Sequence, residues 1–136
     1  MNSNYYTLRG YKLKNKKIIT ESMEDYIEMI YRNELNEKKI QVKDLAYLLN
    51  VKPSSVSKMI SKLKNLKLVK IDNKNINLTN NGKNIGKYLL YRHNILTTFF
   101  KRINKDQYKL DQVEKIEHFI DYISIKNIEK LIKKNL

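Results

Sequence analysis

From residue 20 onward the apolar positions recur at helical spacing. Met23, Ile27, Ile30 and Tyr31 mark one face of a helix that runs to about Leu35. Thr20-Glu21-Ser22-Met23-Glu24 is its start signal, with Thr20 or Ser22 as N-cap and acids in the first turn. Polar residues 36–39 follow, then a short β-prone stretch, Ile40-Gln41-Val42. Val42, Leu45, Ala46, Leu48 and Leu49 predict a short helix ending near Asn50. Val51-Lys52-Pro53-Ser54-Ser55 reads as a turn and a new helix start, because proline in the first turn gives up an N–H that has no intrahelical acceptor. Val56, Met59, Ile60, Leu63 and Leu66 supply that helix with its buried stripe.

Two β-prone runs, Leu68-Val69-Lys70-Ile71 and Ile76-Asn77-Leu78-Thr79, flank Asp72-Asn73-Lys74-Asn75 and predict a hairpin. Thr79-Asn80-Asn81-Gly82 caps a long helix to about Ile103, with Ile85, Leu89, Ile95, Leu96 and Phe99 among its apolar positions. Residues 104–109 are a break, followed by helices over about 110–123 and 125–136. Residues 1–19 show no clean period and read as an arm. The order helix, β-stub, helix, turn, helix, hairpin, helix is that of a winged helix-turn-helix. The fold class expected is mainly α: an N-terminal winged helix-turn-helix with a small β-hairpin wing, then a C-terminal helical dimerisation domain. The divisions expected are a basic leader (1–20), a winged-helix DNA-binding domain (21–87) and a helical unit with the end of the linking helix (88–136).

Composition narrows the function classes. The 136 residues are enough for one compact domain with a small appendage and a sizeable core. The absence of cysteine excludes a disulfide framework, thiolate zinc sites and cysteine nucleophiles. No apolar run approaches the ~18–20 residues of a membrane span. The first twenty residues lack an apolar signal core, so a cytoplasmic location is expected. Net charge is +14, unevenly spread. The leader has five basic residues and no acids, residues 21–37 have six acids and only Arg32, and residues 38–87 have twelve lysines against Asp44 and Asp72. That last block is the footprint of a polyanion-binding surface, although lysine filling solvated faces gives the same counts.

The helix starting at Pro53 makes the first reading specific. Ser54, Ser55, Ser57, Lys58, Ser61 and Lys62 surround its apolar stripe. Small hydroxyl residues at a helix N-terminus allow close approach to a major groove and can donate to base edges or phosphates. Lys52, Lys58 and Lys62 can neutralise flanking phosphates, and Lys74 at the wing tip can reach a backbone or minor groove. One of Ser54 and Ser55 is also expected to cap the helix.

The chain has two histidines, His93 and His118. In Glu114-Lys115-Ile116-Glu117-His118, the two glutamates and the histidine fall at i, i+3 and i+4, one face of a helix. Asp25 and Glu28 are likewise three apart. Carboxylates and imidazole at these spacings suit a borderline-hard divalent cation. A solvated charged face has the same spacing, acids in a first turn complement the helix dipole, and His93 alone fits an ordinary half-buried histidine.

Separated motifs then add a family argument. Ser22-Met23-Glu24-Asp25-Tyr26-Ile27-Glu28, Pro53-Ser54-Ser55-Val56-Ser57-Lys58-Met59, Thr79 through Gly82-Lys83, Ile85-Gly86-Lys87, Tyr91-Arg92-His93 and Val113-Glu114 to His118 run in order. Over roughly residues 21–136 the chain resembles the diphtheria-toxin-repressor family, most of all its manganese-transport-regulator branch. The resemblance implies a two-metal site of Asp25, Glu28, His93, Glu114, Glu117 and His118. In the iron-responsive branch the positions matching Asp25 and Glu114 are Met and Cys. Carboxylates at both favour Mn2+ over Fe2+ by ligand type. The resemblance further implies two Mn2+ ions per subunit, with Fe2+, Zn2+ or Cd2+ as substitutes. It also implies a homodimer on a palindromic DNA operator, repressing metal-uptake genes when metal is bound. The basic leader is extra to the family pattern, and no SH3-like third domain of the kind in the iron regulators is expected, which matches the manganese branch.

Dimerisation is also expected from Leu110, Ile116, Phe119, Ile120, Ile123, Ile128 and Leu131, an apolar surface larger than a small helical unit needs for itself. The alternatives are a winged-helix regulator without metal gating, an iron-responsive member of the same family, a two-metal hydrolase, and a nonspecific nucleic-acid binder. A hydrolase needs a substrate cleft, for which small helices without a Gly-rich loop or nucleophile motif offer little, so no enzyme is expected. Single-strand binders need an aromatic platform, whereas the tyrosines mostly fall on helical apolar faces.

Overall fold

A computed structural model describes residues 18–107 and 110–134. Most of the predicted leader, and the predicted end of the last helix at Leu136, lie outside the described residues. Helix α1 spans Glu21–Leu35, and Thr20 Oγ1 caps it by accepting the Met23 N–H at 3.2 Å. Helix α2 spans Val42–Leu49 and ends at Asn50 in the left-handed region (φ 54°, ψ 50°), a conformation asparagine tolerates. Helix α3 spans Pro53–Asn65. Strands β1 (Val69–Asp72) and β2 (Asn75–Leu78) pair antiparallel, Val69 opposite Leu78 and Asp72 opposite Asn75. Their two linking residues, Asn73 and Lys74, both have positive φ, as in a type I′ hairpin turn. Helix α4 then runs from Asn80 to Asn104, capped by Thr79 Oγ1 on the Gly82 N–H at 3.1 Å.

The β-prone stretch at Ile40-Gln41-Val42 does not form a strand. Gln41 is the N-cap of α2, and its own N–H donates to Asp44 Oδ2 at 2.8 Å, so that capping interaction takes the segment into the helix. One backbone bond to the hairpin remains among the described residues, from Ile76 N–H to the Ile40 carbonyl at 2.7 Å, and the Gln41 side-chain amide donates to Asn75 Oδ1 at 3.4 Å.

The helix predicted over 110–123 is shorter than its apolar pattern. Helix α5 spans Leu110–Ile116, the chain tightens into a 3-10 turn at Glu117–Phe119, and α6 begins at Tyr122 and runs to Lys133. Asp121 is the reason for the restart: its Oδ1 accepts the Ser124 N–H at 2.8 Å and caps α6.

Two apolar clusters organise the described chain. The first joins α1, α2, α3, the hairpin and the start of α4 around Ile27, Ile30, Leu45, Leu63, Leu78 and Leu89. Helix α4 lies close on this body because it carries glycine where it crosses α1: a Cβ on Gly86 would sit 2.7 Å from Tyr31 Cβ and Cγ. The second cluster is built on Leu96, Val113 and Ile125, with Tyr91, Ile95, Phe100, Ile120 and Ile128 packed on it. Helix α4 contributes to both. Tyr91 Oη donates to Glu129 Oε1 at 2.7 Å and ties α6 to it. Of the predicted dimerisation surface, Leu110, Phe119, Ile123 and Leu131 are exposed, whereas Ile120 and Ile128 turn into the second cluster and Ile116 is half-buried. Among the described residues, no helix is long and apolar enough to cross a membrane.

Candidate metal centre and nucleic-acid interface

Where α1, the middle of α4 and the 3-10 turn after α5 meet, the protein buries polar side chains rather than apolar ones. Glu117 is 1% exposed and Arg92 3%, and His93 and His118 are also buried. A buried carboxylate or imidazole is stable only with partners, so each contact here has an energetic reason.

His93, on α4, sets Nδ1 3.1 Å from Glu117 Oε2 and 3.7 Å from Glu114 Oε1. One ligand atom each from Glu28, His93 and Glu117 lie within 4.8 Å of one another. The hydrogen bond that His93 donates to the Glu117 carboxylate raises the His93 pKa, against the opposing effect of burial. Burial, then the Glu117 charge, raises Glu28, and the same two causes raise Glu114.

His118 takes a different set. Its Nδ1 lies 2.8 Å from Glu24 Oε1 and its Nε2 3.0 Å from Asp25 Oδ1. Only the imidazolium has an N–H on both nitrogens, so this arrangement selects the charged ring. Asp25 and then Glu24 accordingly push the His118 pKa up to about 10. Arg92 completes the group, with Nη2 3.4 Å from Glu24 Oε1 and 3.5 Å from His118 Nδ1.

The six candidate metal residues therefore gather at one junction but not on one helical face. Since the chain leaves the α-helix at Ile116, Glu117 and His118 sit on the 3-10 turn, Glu117 towards His93 and Glu28 and His118 towards Glu24 and Asp25. Glu114 remains on α5, half-exposed, at the mouth of a groove it lines with Asp25, Glu28, Met29 and Arg32. Sequence reasoning missed Glu24, Arg92 and Arg32. The i, i+4 spacing of Glu28 and Arg32 was the available signal for Arg32. Glu24 and Arg92 pair with each other between α1 and α4, a tertiary contact that no local spacing reveals.

The seven candidate nucleic-acid residues, Lys52, Ser54, Ser55, Ser57, Lys58, Lys62 and Lys74, are all exposed. The expectation that a serine caps α3 is corrected: Lys52 is the N-cap, and no cap side chain bonds the first turn. Pro53 and Lys74 line a common apolar groove with Gln41, Val42, Lys43, Ile71 and Ile76, which puts the wing tip beside the start of α3. Lys43, exposed at the start of α2, belongs to this face and carried no sequence signal beyond its charge.

Over 116 residues the chain is 44% identical to the HTH-type transcriptional regulator MntR of Bacillus pumilus (strain SAFR-032), covering 84% of this chain and 81% of that one. The chain belongs to the diphtheria-toxin-repressor family. MntR of Bacillus subtilis (strain 168) is 43% identical over the same length, covering 84% of this chain and 82% of its own. The family profile described as "Iron dependent repressor, N-terminal DNA binding domain" matches residues 18–75, which hold α1 to α3 and the start of the hairpin. Two solved structures agree in fold. The manganese regulator SloR superposes with a TM-score of 0.71 at 26% identity, covering 81% of this chain and 53% of that chain. A structure described as a manganese-dependent transcriptional repressor in complex with manganese gives 0.71 at 27% identity, covering 81% and 52%. The chain thus spans about half the length of these solved relatives. This member of the diphtheria-toxin-repressor family is a metal-responsive DNA-binding transcriptional repressor, in its manganese-regulator branch.

Proposed function

We propose that this repressor reads Mn2+ through Asp25, Glu28, His93, Glu114, Glu117 and His118, and acts as a cytoplasmic homodimer on a palindromic operator. The observation that carries the reading is the approach of Glu28, His93 and Glu117, donors from three separate elements, within 4.8 Å of one another. The donor set fits the group: carboxylate oxygen and imidazole nitrogen, with no sulfur, suit Mn2+, and two ions per chain match six ligands. Zn2+, Cd2+ and Fe2+ are expected to substitute, and solved relatives described as ScaR with bound Zn2+ and with bound Cd2+ accord with that.

A bound divalent cation supplies the positive charge that lets carboxylates from both halves of the chain stay together. The remaining work belongs to the chain's own residues. Asp25 and Glu28 ride on α1, and so on the winged-helix body whose apolar cluster α1 helps to build. Glu114, Glu117 and His118 ride on α5 and the turn beside the second cluster, and His93 sits on the helix common to both. We take these clusters as a DNA-binding domain to residue 87 and a metal-binding and dimerisation domain from residue 88. Without a cation, Glu28, Glu114 and Glu117 repel, and the two bodies sample several relative positions. With their charge neutralised, one position is favoured, and two copies of α3 are held at a half-site separation of about 34 Å. Lys52, Lys58, Lys62 and Lys74 then meet phosphates, and Ser54, Ser55 and Ser57 meet base edges or phosphates. Exposed Leu110, Phe119, Ile123 and Leu131 supply the dimer contact.

Titration of the metal-free chain with Mn2+, following free Mn2+ by electron paramagnetic resonance, tests the site. Two ions per chain are expected, fewer in Glu117→Gln. Uptake that is unchanged by that substitution contradicts the assignment.

A further inference from the structure

Besides Arg92 and the His118 ring, the acidic cluster holds one further positive group among the described residues. Arg32 is the only basic residue in the acidic stretch 21–37. Its Nη2 donates to Glu28 Oε2 at 2.7 Å. The Glu28 side chain is 13% exposed and that of Arg32 38%, so the guanidinium reaches in from the solvent side. It lines the groove shared by Asp25, Glu28 and Glu114. Its charge also acts on His93 and Glu114, lowering both pKa values against the raising causes. Its Nε is buried and has no hydrogen-bond partner among the described residues, so the head is not locked into a wider network.

We propose that Arg32 is an internal competitor for the metal, a latch on Glu28 that raises the free-cation concentration at which the site fills. The proposal rests on the metal-site reading above. A guanidinium and a divalent cation want the same carboxylate oxygen, and the two repel. The opposite role, orienting Glu28 as a ligand, is the usual one for a residue that hydrogen-bonds a metal ligand. Two features oppose it here. Glu28 is already placed by α1, and this partner is a cation whose charge acts on His93 and Glu114 as well and so opposes a second cation at the same groove. Four residues along the same helix, Arg32 can leave Oε2 for solvent without moving the backbone. The latch makes the metal-free state self-consistent, because Glu28 has a counter-charge when no metal ion is present, and it makes release easier when free metal falls.

Because Arg32 acts through Glu28, the test compares variants that separate charge from packing. The metal-free full chain is titrated with Mn2+ alone at fixed pH and salt, as the unsubstituted protein, Arg32→Met and Arg32→Lys. Arg32→Met is expected to half-saturate at free Mn2+ lower by about ten-fold, the size of a near-site charge removed at a partly solvated position. Arg32→Lys keeps the charge and is expected to stay near the unsubstituted protein. A merely structural role for Arg32 gives the opposite sign, since a disturbed site binds more weakly. Unchanged or weaker binding in Arg32→Met, with binding intact in the unsubstituted chain, overturns the latch alone. No Mn2+ uptake by the unsubstituted chain overturns the site and the latch together.

Discussion

Asp25 Oδ1 and His118 Nε2 lie 3.0 Å apart and join the first helix to the 3-10 turn that follows α5. With Glu24 Oε1 at 2.8 Å from the other ring nitrogen, the imidazole is held as a cation between two carboxylates. The His118 pKa is raised from 6.5 to about 10, so the sign of its stability contribution follows. A folded-state value above the unfolded one means that the contribution is fully present below about pH 6.5 and is lost as pH rises through about 10. The melting temperature of the metal-free protein is therefore expected to fall between about pH 6.5 and 10, and to fall less in His118→Asn. An equal fall in both proteins removes His118 as the source.

The same proton opposes metal. In the proposed site a cation would need the neutral ring, so His118 is expected to give up its proton on loading. Mn2+ affinity is expected to rise between about pH 6.5 and 8.5, and calorimetry in buffers of different ionisation enthalpy is expected to register released protons. A pH-independent affinity contradicts a ligand role for His118.

Glu117 is the most deeply buried carboxylate of the cluster, at 1% exposure, and it faces His93. Glu117→Gln keeps the shape and removes the charge. Metal-stimulated DNA binding is expected to be lost in Glu117→Gln and in His93→Ala, while the circular dichroism spectrum is retained. Metal-stimulated binding that survives in both sinks the six-residue assignment.

On the nucleic-acid face, Lys58 and Lys62 are expected to contact phosphate and Ser55 to sit nearer the base edges. Each of Lys58→Ala and Lys62→Ala should weaken binding across sequences and lower the salt slope by about 1. Ser55→Ala should change sequence preference with little effect on that slope. Fluorescence anisotropy against potassium chloride concentration separates the two behaviours.

The tight crossing of α1 and α4 has its own test. A Cβ on Gly86 would meet Tyr31 Cβ and Cγ at 2.7 Å, closer than van der Waals contact allows. Gly86→Ala is expected to destabilise the fold by about 1–3 kcal/mol in urea unfolding, despite the higher helix propensity of alanine. A stabilised variant contradicts the packing.

The winged-helix part was legible because its signals are local. Thr20 and Thr79 cap helices where hydroxyl side chains precede an apolar period, Pro53 starts α3, and the Asn73-Lys74 turn sits between β-prone runs. The C-terminal part was read less well, because Ile116, Phe119 and Ile120 keep a helical apolar period through a segment where Asp121 caps a new helix. The metal candidates came from spacing and from family resemblance. Their division into a Glu28–His93–Glu117 group and an Asp25–His118 group did not, since the 3-10 turn separates Glu117 from His118. Arg92 and Glu24 were invisible, because a buried ion pair between α1 and α4 is a tertiary fact.

Metal is expected to switch DNA binding on. The direct measurement is anisotropy of a labelled duplex from the region upstream of the protein's own gene, with Mn2+ and then with chelator, at one salt concentration. Tight binding with Mn2+ that is lost in chelator is the result expected. Equal binding in both contradicts a metal-gated repressor and returns the Glu28, His93 and Glu117 cluster to a structural role.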